Sequence, residues 1–469
     1  MELHIEDRPR HYCGVFGIYG PGLDVARLTF YGLYALQHRG QESAGMAVAD
    51  GWRIELHKGM GLIPEVFNDR VINDLRGHLA IGHVRYSTTG ASHPINAQPL
   101  VFHYGRGQIG LAHNGNLTNT ESLRRQLAAE GAVFQTTTDS EVIVNLIARS
   151  GGRDLEEALA HCVREIRGAY SLVILAENQL LAVRDPYGFR PLCLGELGNA
   201  VVVASESCAL DTIGARFLRD VAPGEIVVLD RNGMNSIQVA RREHWAHCVF
   251  EYIYFARADS CIDGFNVNRV RRKLGEQLAR ECPADADIVL PVPDSGTPAA
   301  RGYADGSGIP LEEGLMKNRY IGRTFIQPSQ NQRELGVRLK LNPIREVLAG
   351  KRVVLVDDSL VRGTTSGKIV RLLREAGARE IHLRLSSPPI THPCYYGIDT
   401  SNRKELIAAE KEVEEIREFT GADTLAYLSL EGLLGAFGDY GRNFCTACFD
   451  GRYPVPVDGG GSCAVFKYK

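Results

Sequence analysis

Residues 11–20 read HYCGVFGIYG, and the place of Cys13 in that stretch decides how the first half of the chain is understood. Twelve residues, MELHIEDRPRHY, precede it and carry charge without an apolar run. A secretory signal needs a core of roughly 7–15 apolar residues. A cysteine at the head of a chain attacks with its thiol while its own α-amine, with a pKa of about 7.7–8.0, takes the proton. Inside a peptide bond that nitrogen is not a base, so this reading requires cleavage after Tyr12. The other reading of the same stretch is a buried cysteine in a first β-strand.

Working outward, the chain has 469 residues, which at about 150 residues per domain suggests two to four domains. A charged fraction of 23% and a hydrophobic fraction of 44% belong to a globular protein. The formal net charge of -3 excludes a molecule-wide basic field, so neither nucleic acid nor an anionic membrane is an expected partner. No apolar run approaches the roughly 18 residues that span a bilayer. Without a secretory signal the expected location is the cytoplasm, where the eleven cysteines are reduced, metal-bound or catalytic.

From Cys13 to about residue 240 short, often β-branched runs bounded by Gly, Asn and Asp read as strands: CGVFGIYG, LAIGHVRYS, QIGLAHNG, AYSLVILAENQLLAVRD, NAVVVASES and GEIVVLD. Helical stretches lie between them, among them NTESLRRQLAAEG and DSEVIVNLIARS, the latter with Asp139 and Ser140 as the N-cap signal. This predicts a layered α and β domain. The pattern changes near residues 240–260. ADIVLPVPDSGTPAARGYA and GKRVVLVDDSLVRGTTSGKIVRLLREAGAREIHLRLSS each run strand, Gly/Ser/Thr-rich turn, helix, the order of a parallel sheet with sites at the carboxyl ends of its strands. The tail from residue 439 is rich in Gly, Pro and aromatics and is expected to pack on the second domain as an irregular extension. FEYIYF (250–255) reads as a buried strand or as an apolar lining between domains.

Several segments of the first half hold groups suited to an amino-acid substrate: LQHRGQESAG, GHVRYSTTG, LAHNGNLTN and TTTDSE. Arg85 suits a carboxylate through its two-pronged guanidinium. Asp139 suits an α-ammonium. Asn114 and the backbone N–H of Gly115 suit an oxyanion, since glycine lets backbone come close to a developing alkoxide. HNGN is also good turn chemistry in its own right.

These motifs, CGVFGI, HRGQESAG, GHVRYSTTG and HNGNLTN, occur in the order of the N-terminal-nucleophile glutamine amidotransferases, which residues 13–240 resemble. The resemblance implies an αββα sandwich in which Cys13 attacks the carboxamide of glutamine. Asn114 and Gly115 then stabilise the tetrahedral intermediate, and Arg85 and Asp139 hold the α-carboxylate and α-ammonium. It also implies that residues 1–12 are an autoprocessed propeptide.

In RVVLVDDSLVRGTTSGK (352–368) two carboxylates end an apolar strand before a turn into a helix. Asp357 and Asp358 suit vicinal hydroxyls or a hard cation. Gly363, Thr364 and Thr365 at a helix start suit a phosphate monoester, or simply form a capped turn. The P-loop order GxxxxGK[ST] is absent. The segment resembles the phosphoribosyl pyrophosphate signature of type I phosphoribosyltransferases, implying a parallel α/β domain over residues 241–469. In that resemblance Asp357 and Asp358 face the ribose hydroxyls and magnesium, residues 362–366, beginning with Arg362, hold the 5-phosphate, and Ser295 of PVPDSG is a further group at the metal. Residues 318–342, with Arg319, Arg323, Arg333 and Arg338, correspond to a closing lid.

FCTACF gives Cys445 and Cys448 a C-x-x-C spacing that suits zinc, a redox pair or two core thiols. Cys248 and Cys394 carry no spacing signal, and residue chemistry alone favours zinc. From Cys13 to Cys448 the chain resembles the amidophosphoribosyltransferase family, one branch of which has a propeptide and a [4Fe-4S] cluster. That resemblance implies one such cluster per subunit on Cys248, Cys394, Cys445 and Cys448, magnesium at the second site, and glutamine and phosphoribosyl pyrophosphate as substrates. It further implies inhibition by purine nucleotides, a homotetramer, and a dry passage for ammonia between the two sites. Ala258 stands where the family commonly has proline. Cysteines 162, 193, 208, 261, 282 and 463 read as packing residues. The signature at 353–365 argues against hexosamine-6-phosphate synthase or glutamate synthase chemistry, while a non-catalytic nucleotide-sensing second domain is separated by turnover with ammonia.

Overall fold

The computed structural model describes residues 13–86, 92–151, 154–318, 341–400 and 402–457. The leader 1–12, the lid arginines 319, 323, 333 and 338, and Cys463 lie outside them.

The first half builds two antiparallel sheets. One has seven strands in the order Arg216–Asp220, Cys193–Leu197, Ala200–Ala204, Gly14–Tyr19, Leu79–Arg85, Ser43–Ala49 and Ile54–Met60. The other has six: Gly233–Gln238, Glu225–Asp230, Leu180–Arg184, Gly168–Leu175, Gly107–Leu117 and Leu100–Tyr104. Alternation along each strand sorts side chains to two faces. In the first strand Val15 points to the space between the sheets, with Ile81, Ala112, Val173 and Val203. Phe16 and Ile18 point the other way, onto helices that include Val25–Ala35 and Ser207–Thr212. Helices Thr120–Ala129, Ser140–Arg149 and Leu155–Glu165 cover the outer face of the second sheet through Leu123, Ile143 and Leu159. The result is the four-layer αββα sandwich. Each fully buried Val, Leu or Ile in these layers contributes roughly 1.5–3 kcal/mol.

The second half is centred on a four-stranded parallel sheet ordered Ile288–Pro291, Arg352–Asp357, Glu380–Leu385 and Thr424–Tyr427. Val354 and Val356 face helices Val267–Glu281 and Thr297–Ser307. Val353 and Leu355 face helices Thr364–Glu375 and Val413–Thr420. Burial on both faces explains the unbroken apolar run VVLV.

Two expectations change. FEYIYF is not a strand: Glu251–Phe255 forms a single π-helical turn. Its end is held by Arg271, which donates to the carbonyls of Tyr252 at 2.7 Å and Ala256 at 2.8 Å, a tertiary contact that local alternation does not reveal. The tail is neither irregular throughout nor confined to the second domain. Phe444–Cys445 pairs in parallel with His247–Cys248, Ala447–Asp450 is a helical turn, and Val455 packs with Ala169 and Phe189 of the first domain as well as Tyr396. No helix among the described residues is long and apolar enough to cross a membrane.

Candidate active sites

Cys13 stands immediately before the first strand, partly buried. Its thiol donates to the Tyr86 carbonyl at 3.7 Å, and its own carbonyl accepts from Arg39 Nε at 3.3 Å. Burial pushes the thiol pKa up; the Tyr86 hydrogen bond and the Arg85 charge act against that, while Glu42 and Asp139 add to it. Arg85 lies at the end of the neighbouring strand Leu79–Arg85. Arg85 is buried and paired with Glu42 at 2.9 Å.

Asp139 occupies the position before helix Ser140–Arg149, but its side chain does not cap that helix. Its Oδ2 instead accepts from the backbone N–H of Leu117 at 3.0 Å, tying the helix start to strand Gly107–Leu117. His113 lies 3.8 Å from Asp139 and 3.0 Å from Ser140 Oγ. Burial lowers the His113 pKa, outweighing the pull of Asp139. The imidazole is thus held toward its neutral form.

Asn114 and Gly115 follow on the same strand. Asn114 is 1% exposed, and its Nδ2 has no hydrogen-bond partner, a costly state for a buried donor unless a ligand completes it. Gly115 has φ +148°, and a Cβ there would sit 2.0 Å from the Ala169 carbonyl oxygen. Only glycine fits this register opposite Tyr170.

At the carboxyl ends of the parallel strands, Asp357 and Asp358 are 2% and 0% exposed. Ser295, in the loop after Ile288–Pro291, donates to Asp358 Oδ2 at 2.5 Å, so the two loops meet. Gly363 sits at the N-cap of helix Thr364–Glu375 with left-handed backbone, which puts Thr364 and Thr365 in its first turn. Arg362 pairs with Glu405. Every described residue assigned from sequence to this site lies at the carboxyl end of strand Ile288–Pro291 or Arg352–Asp357 or in the loop and helix start that follow.

Cys248, Cys394, Cys445 and Cys448 line one cavity with Phe189, Arg190 and Tyr396. Parallel pairing sets Cys248 opposite Cys445. Burial pushes the Cys394 thiol up to about 11, and holds those of Cys445 and Cys448 well above the ordinary thiol value. Among the described residues no group of three His, Cys, Asp or Glu side chains is placed to hold a single metal ion.

Sequence reasoning missed the polar hub between the domains. Arg39, Glu206 and Glu251 are all buried. Glu206 accepts from Arg39 and from Ser260 Oγ at 2.6 Å and lies 2.8 Å from His38 Nε2. HRGQ marked Arg39 as part of a polar segment, but nothing local marked its carboxylate partners, 167 and 212 residues away.

The family described as glutamine amidotransferase domain matches residues 83–212, and that described as phosphoribosyl transferase domain matches 265–392. Fold and sites together define a glutamine amidotransferase fused to a phosphoribosyltransferase. The chain is 53% identical to the amidophosphoribosyltransferase of Synechococcus elongatus, over 97% of this chain and 94% of that one. It is 50% identical to that of Methanocaldococcus jannaschii, over 95% and 98%. A glutamine phosphoribosylpyrophosphate amidotransferase from Bacillus subtilis, complexed with ADP and GMP, superposes with a TM-score of 0.91 at 51% identity, covering 96% of this chain and 99% of that chain. The chain belongs to the amidophosphoribosyltransferase family, and its activity is glutamine-dependent amidotransfer to phosphoribosyl pyrophosphate.

Proposed function

We propose that the reaction is divided between residues 13–240, which release ammonia, and 241–469, which use it. Cys13, freed as the first residue by loss of the leader, attacks the carboxamide carbon of glutamine. Its thiol proton passes to the α-amine and on to the leaving ammonia, and water then hydrolyses the thioester to glutamate. The raised thiol pKa supports a mechanism in which a base must take the proton. Arg85 and Asp139 orient the substrate's carboxylate and ammonium, and Asn114 Nδ2 with the Gly115 N–H receives the oxyanion. The observation that carries this assignment is the buried, unpartnered Asn114 donor on the strand that Asp139 anchors.

At the second site Asp357 and Asp358 hold the ribose hydroxyls and Arg362, Gly363, Thr364 and Thr365 the 5-phosphate. Two acidic side chains with Ser295 fit magnesium, which characteristically completes its shell with substrate phosphate and water. When bound, the ion neutralises charge on departing pyrophosphate. Ammonia attacks C1 as pyrophosphate leaves, giving 5-phosphoribosylamine, the first step of purine biosynthesis. Ammonia released into water would be largely protonated, so the buried π-turn Glu251–Phe255 at the junction is read as part of a dry passage.

The four thiols fit one [4Fe-4S] cluster per subunit with a structural role. The placement of all four thiols around one cavity supports a group that takes four thiolates. Inhibition by purine nucleotides is supported by the ADP and GMP of the Bacillus relative and by a 51% identical structure described as the allosteric regulatory enzyme of purine biosynthesis. A homotetramer and a cytoplasmic location complete the reading. The test is a coupled assay with glutamine, phosphoribosyl pyrophosphate and magnesium, measuring glutamate and pyrophosphate in equal amounts. Pyrophosphate release with ammonia but never with glutamine would overturn the assignment of Cys13.

A further inference from the structure

A short stretch of the second domain packs beside strand Gly107–Leu117 of the glutaminase site. Residues 394–397 leave the thiol-lined cavity at Cys394, whose sulfur accepts from the Tyr396 N–H at 3.4 Å, and run onto strand Gly107–Leu117. Asn116 Nδ2 donates to the Tyr395 carbonyl at 2.9 Å. Arg190 of the first domain donates to the Tyr396 carbonyl, and the Tyr396 ring stacks on Phe189 at 4.4 Å between centroids. Gly397, at φ +107°, lies so close that a Cβ on it would meet Arg190 Nη2 at 2.8 Å, the Gly115 carbonyl carbon at 3.4 Å and Asn116 Cβ at 3.6 Å.

We propose that the Tyr395–Tyr396–Gly397 segment is a positioning element for the oxyanion donors of the first domain, holding the Gly115–Asn116 peptide in place through Asn116 and Arg190. This rests on the assignment of Asn114 and Gly115 as those donors. The physical argument is one of tolerance. Gly115 pairs with Tyr170, at a φ that only glycine adopts readily and with no room for a Cβ beside the Ala169 carbonyl, and the next residue, Asn116, is the one that Tyr395 holds. An oxyanion donor works when fixed before the reaction, and losing one costs about 10²–10³ in kcat. The bracing residues touch neither substrate nor thiol, so their contribution appears in the tetrahedral state and not in ground-state binding.

The experiment compares Gly397→Ala, Asn116→Asp and Asn114→Ala in the full-length, processed enzyme. Gly397→Ala drives a methyl group toward Arg190 and the Gly115 peptide; Asn116→Asp replaces the donor facing the Tyr395 carbonyl with a carboxylate. Four quantities are measured: kcat and KM for glutamine hydrolysis, the rate of phosphoribosylamine synthesis from added ammonia, and affinity for L-glutamate γ-semialdehyde. The Cys13 thiol adds across that aldehyde, the S–C bond forming as the C=O π bond breaks and the thiol proton passes to oxygen, so the adduct is tetrahedral and needs the same donors. Gly397→Ala and Asn116→Asp are expected to lower kcat by about tenfold or more, part of the full loss of a donor, and to weaken aldehyde binding in step. KM for glutamine and the ammonia-dependent rate are expected to stay within about twofold. If Asn114→Ala loses about 10²-fold while the other two keep wild-type kcat, the positioning role is overturned and the oxyanion assignment stands. If Asn114→Ala also keeps kcat, the assignment itself falls. Loss of both activities together in Gly397→Ala and Asn116→Asp marks a general folding role and likewise overturns the proposal.

Discussion

The guanidinium of Arg39 donates to both oxygens of the Glu251 carboxylate, at 2.8 and 3.1 Å, across the boundary between the two domains. Arg39 also reaches Glu206 and the Cys13 carbonyl. Burial works against its charge, but Glu251 and Glu206 raise its pKa. Burial alone would raise the Glu206 carboxyl; His38 and Arg39 overcome it and hold that carboxyl well below the usual carboxylate range.

Removing the cation while leaving its partners is therefore costly. Arg39→Met takes the guanidinium from two buried carboxylates, leaving Glu206 with His38 and Ser260, and breaking a buried pair this way costs about 3–5 kcal/mol. A carboxyl with a depressed folded pKa contributes stability above its unfolded value, about 4.3 for Glu, and loses it as pH falls through the folded value. In wild type this contribution fades below about pH 4.3; in Arg39→Met the Glu206 pKa rises, so the lost stability is already missing at neutral pH. Thermal unfolding of both proteins at neutral and acid pH reads the difference, and equal transition temperatures at neutral pH would contradict it.

Cys13→Ala should abolish use of glutamine and spare synthesis from added ammonia. Because the buried thiol titrates above its ordinary value, glutamine turnover should rise with pH through the α-amine range, about 7.7–8.0, and should vanish when that amine is blocked. Intact-mass analysis should show active chains beginning at Cys13. Full glutaminase activity from homogeneous chains retaining Met1 would refute the role of the amine.

Asp357→Ala combined with Asp358→Ala should remove both ammonia- and glutamine-dependent phosphoribosylamine synthesis. A fall of about 10²-fold or more is expected from losing preorganised charge at a polyphosphate. In wild type, phosphoribosyl pyrophosphate should lower the KM for glutamine, since ammonia released without an acceptor is wasted; in the double variant that response should vanish while basal glutaminase activity at Cys13 persists. Glutamate release across a glutamine titration, with and without phosphoribosyl pyrophosphate and magnesium, measures both effects.

Cys445→Ser should yield colourless, iron-poor and poorly folded protein, because its thiol lines the shared cavity and its strand pairs with Cys248. Iron and sulfide analysis of anaerobically purified protein decides the matter. Stoichiometric zinc without iron in the wild type would refute the cluster.

Much of this was legible because the relevant signals are local. Short apolar runs bounded by Gly, Asn and Asp marked the strands, and HNGNLTN marked Asn114 and Gly115, which lie together on strand Gly107–Leu117 with φ +148° at the glycine. DDSLVRGTT carried its strand end, turn and helix start within one stretch. What escaped was set by distant partners. Arg271 holds the π-turn at 251–255, where alternating apolar residues imitate a strand. Leu117 claims the Asp139 carboxylate that sequence assigned to capping. Cys248 has no spacing signal because its neighbour Cys445 arrives through a two-residue parallel pairing.

That pairing also sets an order of events on the ribosome. Roughly 200 residues separate Cys248 from Cys445, and at about 5–20 residues per second the second thiol follows the first by on the order of 10–40 s. The sandwich of the first domain is complete well before then, while the stretch around Gly397 that touches Gly115 has yet to be made. A nascent chain thus carries the first domain before the stretch that packs beside its Gly115–Asn116 peptide has been made.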